Sequence, residues 1–322
     1  MPFERLTASP SARIGLGLAA LGRPGYINLG RESDLPAERT VEAMESRAHA
    51  VLDEAYARGV RYFDVARSYG RAEEFLAGWL RKRPAHGDAV AGSKWGYTYT
   101  ANWRTDAAVH EVKDHSPAVY DRQLAETRGI LGDRLDLYQV HSVTPGSPVL
   151  TDRALQDRLA ALAAEGVTVG LSTTGPGQPA AIRAALSVEV DGVPLFSSVQ
   201  ATYNLLEPSA GPALAEAHDA GRNVIVKEAL ANGRLVHEAA GSALGRVARE
   251  TGLAPDALAL AAVLARPWAR VVLSGAATTD QLDANVSALT ADLTPDRVER
   301  LASELAEPAE EYWRHRAALP WT

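Results

Sequence analysis

The chain has 322 residues, 46% of them hydrophobic, a formal net charge of −7 and no cysteine. Without cysteine there are no disulfides, thiolate nucleophiles or cysteine-held metals, which suits a reducing cytoplasm. No basic block and no apolar run of ~18 residues is present, which argues against nucleic acid and membrane as partners. The stretch "RIGLGLAALG" (13–22) is too short and glycine-broken for a signal sequence, so a cytoplasmic location is expected.

In chain order, eight short apolar runs read as strands: 14–18, 62–65, 89–93, 135–140, 167–172, 197–201, 223–226 and 270–273. Amphipathic stretches alternate with them. In 40–59, Val41, Met44, Ala48, Val51, Leu52 and Ala55 share one face, and Gly59 ends the helix. Further helices are read over 117–132, opened by Pro117, and over 152–166, 179–188, 212–221, 240–252, 256–266, 280–291 and 295–306. Such alternation means parallel strands buried on both faces. Eight repeats favour an α/β fold closed into a (β/α)8 TIM barrel, with an open doubly wound sheet as the alternative. No linker-like stretch interrupts it. One domain over 1–322 is expected, with a loop-like tail at 307–322 whose Tyr312, Trp313 and Trp321 should dock.

In such barrels the active site lies where strands end. The second run ends in Asp64, with Tyr69 and Gly70 just beyond; the third ends in Lys94, the fourth in His141, the fifth in Ser172 and Thr173. The sixth leads to Gln200, Tyr203 and Asn204, the seventh to Lys227 and Glu228, the eighth to Ser274 and Gly275. Taken singly, Asp64 could be a turn cap, Lys94 a solvated lysine and His141 a structural histidine. Three neighbouring strands nevertheless deliver Asp, Tyr, Lys and His to one mouth.

The segments "FDVARSYGRAEEFLAGWL", "AGSKWG", "DRLDLYQVHSV", "LAAEGVTVGLSTTG", "VQATYNLLEP", "NVIVKEALANGRL" and "VVLSGAATTDQLDANVSAL" resemble, in order, the strand-end motifs of the aldo-keto reductase family. The resemblance runs from about residue 12 to 291. The "GLGLAALGRPGYINLG" start is similar to the sugar and pyridoxal dehydrogenase branches. It implies an NAD(P)-dependent oxidoreductase that interconverts a carbonyl and an alcohol, with Asp64, Tyr69, Lys94 and His141 as the catalytic tetrad. Tyr69 would exchange the proton, and since a free phenol has a pKa of about 10, a nearby Lys94 ammonium would be expected to lower it. Asp64 would hold Lys94, and His141 would orient the substrate oxygen.

For the cofactor, the resemblance implies Ser172 and Gln200 at the nicotinamide carboxamide. Leu230, Gly233 and Leu235 would lie around the pyrophosphate. Gly275, Thr278, Thr279, Gln281 and Asn285 would form the phosphate-binding helix start. NADP is the expected form, with NAD as the alternative, because "AATTDQ" lacks the Arg or Lys that commonly grips a 2′-phosphate. Two other departures are Thr173 in place of the usual Asn, and Lys227 in place of an aromatic that stacks on nicotinamide; Tyr203 is a possible substitute.

The long segment 95–116 offers Trp95, Tyr97, Tyr99 and Trp103 as a substrate wall, or as a self-packed loop. Tyr26 and Asn28 offer a second wall. The segment "HEVKDH" (110–115) has its histidines five apart, which is the wrong helical spacing for zinc, and no metal is expected. "IGLG" opens no helix and is no dinucleotide fingerprint. The partner expected is a small carbonyl or sugar. Alternatives are a sugar dehydrogenase working in the oxidative direction, a Schiff-base lyase with Lys94 as nucleophile, and a nicotinamide-binding regulatory subunit without turnover.

Overall fold

The computed structural model describes residues 2–7, 10–27, 29, 34–236 and 242–321. Asn28 and the first two residues of the expected helix 240–252 lie outside them. All eight expected strands form: β1 (Ile14–Gly17), β2 (Tyr62–Asp64), β3 (Val90–Trp95), β6 (Leu135–Val143), β7 (Thr168–Thr173), β10 (Ser198–Thr202), β11 (Asn223–Lys227) and β12 (Val271–Ser274). They pair in parallel and close into a barrel in the order β1-β12-β11-β10-β7-β6-β3-β2. Two small hairpins were not expected: β4 (Tyr97–Tyr99) with β5 (Glu111–Lys113), and β8 (Glu189–Val190) with β9 (Val193–Pro194). The first lies in the long segment after Lys94, which is therefore an ordered flap rather than an irregular loop.

Helices pack outside the barrel: α1 (Val41–Ala57), α2 (Ala72–Lys82), α3 (Pro117–Leu131), α4 (Arg153–Ala164), α5 (Gln178–Leu186), α6 (Gly211–Asp219), α7 (Ala243–Thr251), α8 (Pro255–Leu264), α9 (Thr279–Ser287) and α10 (Pro295–Leu305). Their starts follow local chemistry. The hydroxyls of Thr40, Ser116, Thr278 and Thr294 and the Asp152 carboxylate accept from the first-turn amides of α1, α3, α9, α10 and α4. Gly59, at φ 88°, takes the left-handed turn after α1. The tail differs from expectation. It forms α11 (Ala309–Ala317), which buries Tyr312 and Trp313 in a second core with Leu235, Leu244 and Leu258. Two adjacent aromatics with charged residues on either side show no helical period, which hid this helix in the sequence.

Inside the barrel, Tyr62, Val90, Leu137, Ile225, Val271 and Leu273 form a separate core with Phe3 and Leu6 of the N-terminal 3-10 turn. That turn plugs the end of the barrel opposite the mouth.

Candidate active site

Strand parity decides what reaches the mouth, because successive side chains face opposite sides of a sheet. On β2, Tyr62 and Asp64 face in, while Phe63 packs outward on Trp79 with ring centroids 5.2 Å apart. On β3, Lys94 faces in and Trp95 faces out. On β6, Gln139 and His141 face in.

These inward groups meet. Lys94, fully buried, donates to Asp64 Oδ2, to the Val65 carbonyl at 3.0 Å and to Tyr69 Oη at 3.3 Å. Asp64 Oδ1 accepts from Tyr62 Oη at 3.0 Å and from Gln200 Nε2 at 2.9 Å. Tyr69 Oη lies 3.4 Å from His141 Nε2. Tyr69 reaches back over the strand end because Gly70, at φ 61°, permits the turn, and a side chain there would strike the Gly22 carbonyl.

Burial drives the His141 imidazole well below its usual pKa, helped by Lys94 and Lys227, so the ring is neutral. Burial also lowers Lys94, against the pull of Asp64. The expected lowering of Tyr69 is reversed. Burial pushes its phenol well above the usual value, the Asp64 carboxylate adds to the rise, and Arg23 only partly opposes it. With its ammonium drawn onto Asp64, Lys94 does not overcome those effects. Tyr69 is accordingly a protonated phenol near neutrality.

A cleft of about 790 Å³ opens above these groups; Asp64, Tyr69, His141 and Gln200 lie on its lining. On one side stands a charged cluster that the sequence did not reveal as a unit. Lys227 Nζ donates to Thr202 Oγ1 at 2.7 Å, and that hydroxyl donates to Glu228 at 3.0 Å. Arg316 of α11 clasps the same carboxylate through Nε, at 3.0 Å, and Nη2. Burial alone would raise Glu228, but Arg316 and Lys227 prevail and bring it down to about 2. Burial brings Lys227 down to about 8. Glu228 sits at φ 57°, a left-handed conformation a non-glycine residue rarely adopts. On the other side Arg23 packs against the rings of both Tyr26 and Trp321, 4.8 Å from each centroid, and donates to Glu111 at 3.0 Å. Trp321 stacks on His110 at 4.1 Å.

The residues expected around a dinucleotide divide by position. Gln200, Leu230, Gly233, Gly275, Gln281 and Asn285 line the cleft. Buried Gln200 Oε1 has no hydrogen-bond partner among the described residues, which suits an amide N–H donor such as a carboxamide. Ser172 Oγ is buried and accepts from the Ser142 amide at 2.8 Å, leaving its own proton to donate. Thr278 caps α9, accepting from the Gln281 amide at 3.1 Å, and Thr279 opens the helix. Asn285 Nδ2 donates to Ser274 Oγ at 2.8 Å.

Four expectations change. Leu235 turns away from the cleft into the second core. Trp95 is fully buried on the outer face of β3, against His115 and Tyr120, and lines no substrate space. Trp103 anchors the flap instead of forming its inner wall. Its Nε1 donates to the Arg39 carbonyl at 2.7 Å, and its ring meets Phe75 edge-on. Tyr203 cannot replace a stacking aromatic, since it faces outward onto Trp268. Thr173 also faces out, toward Gln178 at 3.3 Å. Tyr26 does line the cleft, and Tyr97 stands edge-on to His141 with centroids 5.0 Å apart. Of the paired histidines in 110–115, His110 stacks on Trp321 and His115 bonds the His141 carbonyl at 2.8 Å.

Known proteins are similar to this chain in sequence and in fold. The model of the aldo/keto reductase family matches residues 13–305. Protein tas of Escherichia coli (strain K12) is 26% identical over 306 residues, covering 78% of this chain and 87% of its own. D-threo-aldose 1-dehydrogenase of a Pseudomonas species is 28% identical over 270 residues, covering 78% and 77%. Among solved structures, aldo-keto reductase AKR11C1 from Bacillus halodurans, in its holo form, superposes with a TM-score of 0.70 over 94% of this chain and 95% of its own. At 22% identity that last likeness is one of fold. With a family match over nearly the whole length and a closed parallel barrel under the matched motifs, this chain belongs to the aldo/keto reductase family, whose members are generally NAD(P)-dependent oxidoreductases acting on carbonyls and alcohols.

Proposed function

We propose that the protein reduces a carbonyl compound to an alcohol, or runs the reverse reaction, with Tyr69 as the group that gives and takes the proton. One observation carries this reading. At the floor of the cleft, Tyr69 Oη is, among the described residues, the one hydroxyl within reach of both Lys94 Nζ, at 3.3 Å, and His141 Nε2, at 3.4 Å. When bound, the nicotinamide supplies the hydride. Tyr69, protonated near neutrality, would give its proton to the developing alkoxide. Lys94 would then face the phenolate that remains, and Asp64 would keep Lys94 in place. A neutral His141 donates from only one ring nitrogen, so it would orient the substrate oxygen without contesting the proton.

Gln200 and Ser172 would hold the carboxamide. Leu230 and Gly233 would flank the pyrophosphate, and the α9 start with Gly275, Thr278, Thr279, Gln281 and Asn285 would take a phosphate. The form proposed is NADP, with NAD as the alternative. Segment 276–281 holds no Lys or Arg, so threonine hydroxyls and helix amides are what a 2′-phosphate would meet there. Titrating the six tryptophans with NADPH and with NADH ranks the two forms. Quenching by neither would overturn the nicotinamide reading.

Tyr26 and Trp321, which line the cleft, favour a sugar or another flat apolar face as substrate; oxidation of an aldose is the second reading. Lys94 as a Schiff-base nucleophile fits poorly, since its amine is fully buried and bonded three ways. Tyr69→Phe should cut turnover by about 10²–10⁴-fold while both dinucleotide titrations stay as in the wild type. Full turnover in that variant would refute the assignment.

A further inference from the structure

The Asp64–Lys94 pair rests on a group that no proposed step uses. Tyr62 lies two residues before Asp64 on the same inner face, fully buried inside the barrel. Its ring stacks near Phe3, with centroids 6.4 Å apart. For that packing a phenylalanine would serve. The hydroxyl has a specific place, donating to Asp64 Oδ1 at 3.0 Å. The strands on either side make room for it. A methyl group at Gly15 of β1 would come within 2.9 Å of Tyr62 Cδ1, and one at Gly92 of β3 would overlap the Tyr62 hydroxyl itself. Two glycines thus cradle this phenol, one at its ring edge and one at its oxygen.

We propose that Tyr62 is a positioning residue for the reaction: its hydroxyl, from beneath, fixes the Asp64 carboxylate under Lys94 and offsets part of the negative charge that Lys94 and Tyr69 feel. The inference rests on the roles proposed above for Asp64, Lys94 and Tyr69. A buried phenol that donates to a carboxylate makes a charge-assisted hydrogen bond, here 3.0 Å long. It shares Oδ1 with Gln200 Nε2 and leaves Oδ2 to Lys94. Without it, Asp64 keeps two donors, and more of its charge is directed at the ammonium. The ammonium would then hold its proton more tightly, and the phenol of Tyr69, which Asp64 already opposes, would ionise less readily.

Other groups act on the pair as well. Arg23 and Tyr26 from the loop after β1, Glu111 from β5, His141 from β6, Lys227 from β11 and Glu228 just after it also face it. All of them stay in place when only the Tyr62 oxygen is removed.

The sequence makes the test clean, because Lys82, Lys94, Lys113 and Lys227 are its only lysines. Tyr62→Phe would be compared with the wild type by NMR of lysine labelled with ¹³C at Cε, following the Lys94 signal through a pH titration. The Lys94 midpoint should rise by about half a pH unit or more, with those of Lys82 and Lys113, which do not act on the pair, unmoved. Reduction of 4-nitrobenzaldehyde by NADPH should fall about 10-fold in kcat with little change in KM. If Tyr62→Phe does not fold, Gly92→Ala, which displaces the hydroxyl but keeps the phenol, should move the Lys94 midpoint in the same direction. An unmoved Lys94 midpoint in the folded variant would reduce Tyr62 to a packing residue and overturn the proposal. Full turnover in Tyr69→Phe would instead overturn the reading beneath it, so the two failures can be told apart.

Discussion

Arg316 is where the tail grips the barrel mouth, and removing it should cost the protein a definable amount. In Arg316→Met the Glu228 carboxylate stays nearly buried, its side chain 8% exposed, but loses its bidentate partner. Thr202 and Lys227, the latter 3.9 Å away, remain. Arg316, with Lys227 and Thr202 in support, holds Glu228 at about 2 against the usual 4.5. That is roughly 2.5 units at about 1.4 kcal/mol each, so on the order of 3 kcal/mol. The figure agrees with the roughly 3–5 kcal/mol typical of breaking one side of a buried ion pair. The sign follows from a depressed carboxyl. The stabilisation is present above about 4.5 and is lost as pH falls through about 2. Urea unfolding at pH 7, followed by tryptophan emission, should therefore show the variant weaker by about 3 kcal/mol. The loss can appear as a lower midpoint or as an early separate transition, since Trp313 and Trp321 both ride on the tail. The gap should narrow to roughly 2 kcal/mol by about pH 3.5. A gap below about 0.5 kcal/mol at pH 7, or one that does not narrow in acid, would refute the reasoning.

Lys227→Met should act in the opposite sense. Burial holds this ammonium at about 8 instead of 10.5, a cost fully present below about 8 that disappears as pH rises through 10.5. Allowing for the contact that Glu228 loses, the variant should gain about 1–3 kcal/mol at pH 7 and nothing near pH 10.5, as urea unfolding at the two pH values would check. Trp321→Ala should raise KM for the best carbonyl substrate by about 5–50-fold, on the order of 1–2 kcal/mol of lost ring contact. In that variant kcat should be nearly unchanged, because the ring lines the cleft through contacts with Arg23, Tyr26 and His110 and takes no part in the Asp64–Lys94–Tyr69 network. A loss confined to kcat would place Trp321 among the residues that support the chemistry.

Much of this architecture was legible in the sequence, because period and position carry it. Apolar runs gave the eight strands to within a residue or two at most ends, and the polar residue ending each inner row led to Asp64, Lys94 and His141. Where the expectations went wrong, parity explains several errors at once. Trp95 follows inward Lys94, Tyr203 follows Thr202, and Thr173 follows Ser172, so each had to face the helices. That information was in the sequence, but an aromatic or hydroxyl beside a site residue is easily credited with the same direction. The direction of the Tyr69 shift was not legible, because it depends on burial and on how fully Asp64 engages the ammonium. The Lys227–Glu228–Arg316 cluster was hidden for another reason. Arg316 lies 88 residues beyond Glu228 along the chain, and only the folding of 309–317 into a helix turns it onto the mouth.

The N-terminal plug has a consequence for the order of assembly. Phe3 and Leu6 belong to a core whose other members include Ile225, Val271 and Leu273, and Arg270 donates to the Phe3 carbonyl across 267 positions. A chain emerging from a ribosome would carry those two apolar side chains without their partners until nearly the whole barrel had been made. Contacts of such separation form late and slowly. Closure of the barrel floor is therefore expected to be a terminal event, and a chain halted before residue 271 would present the Phe3 segment to solvent or to a chaperone.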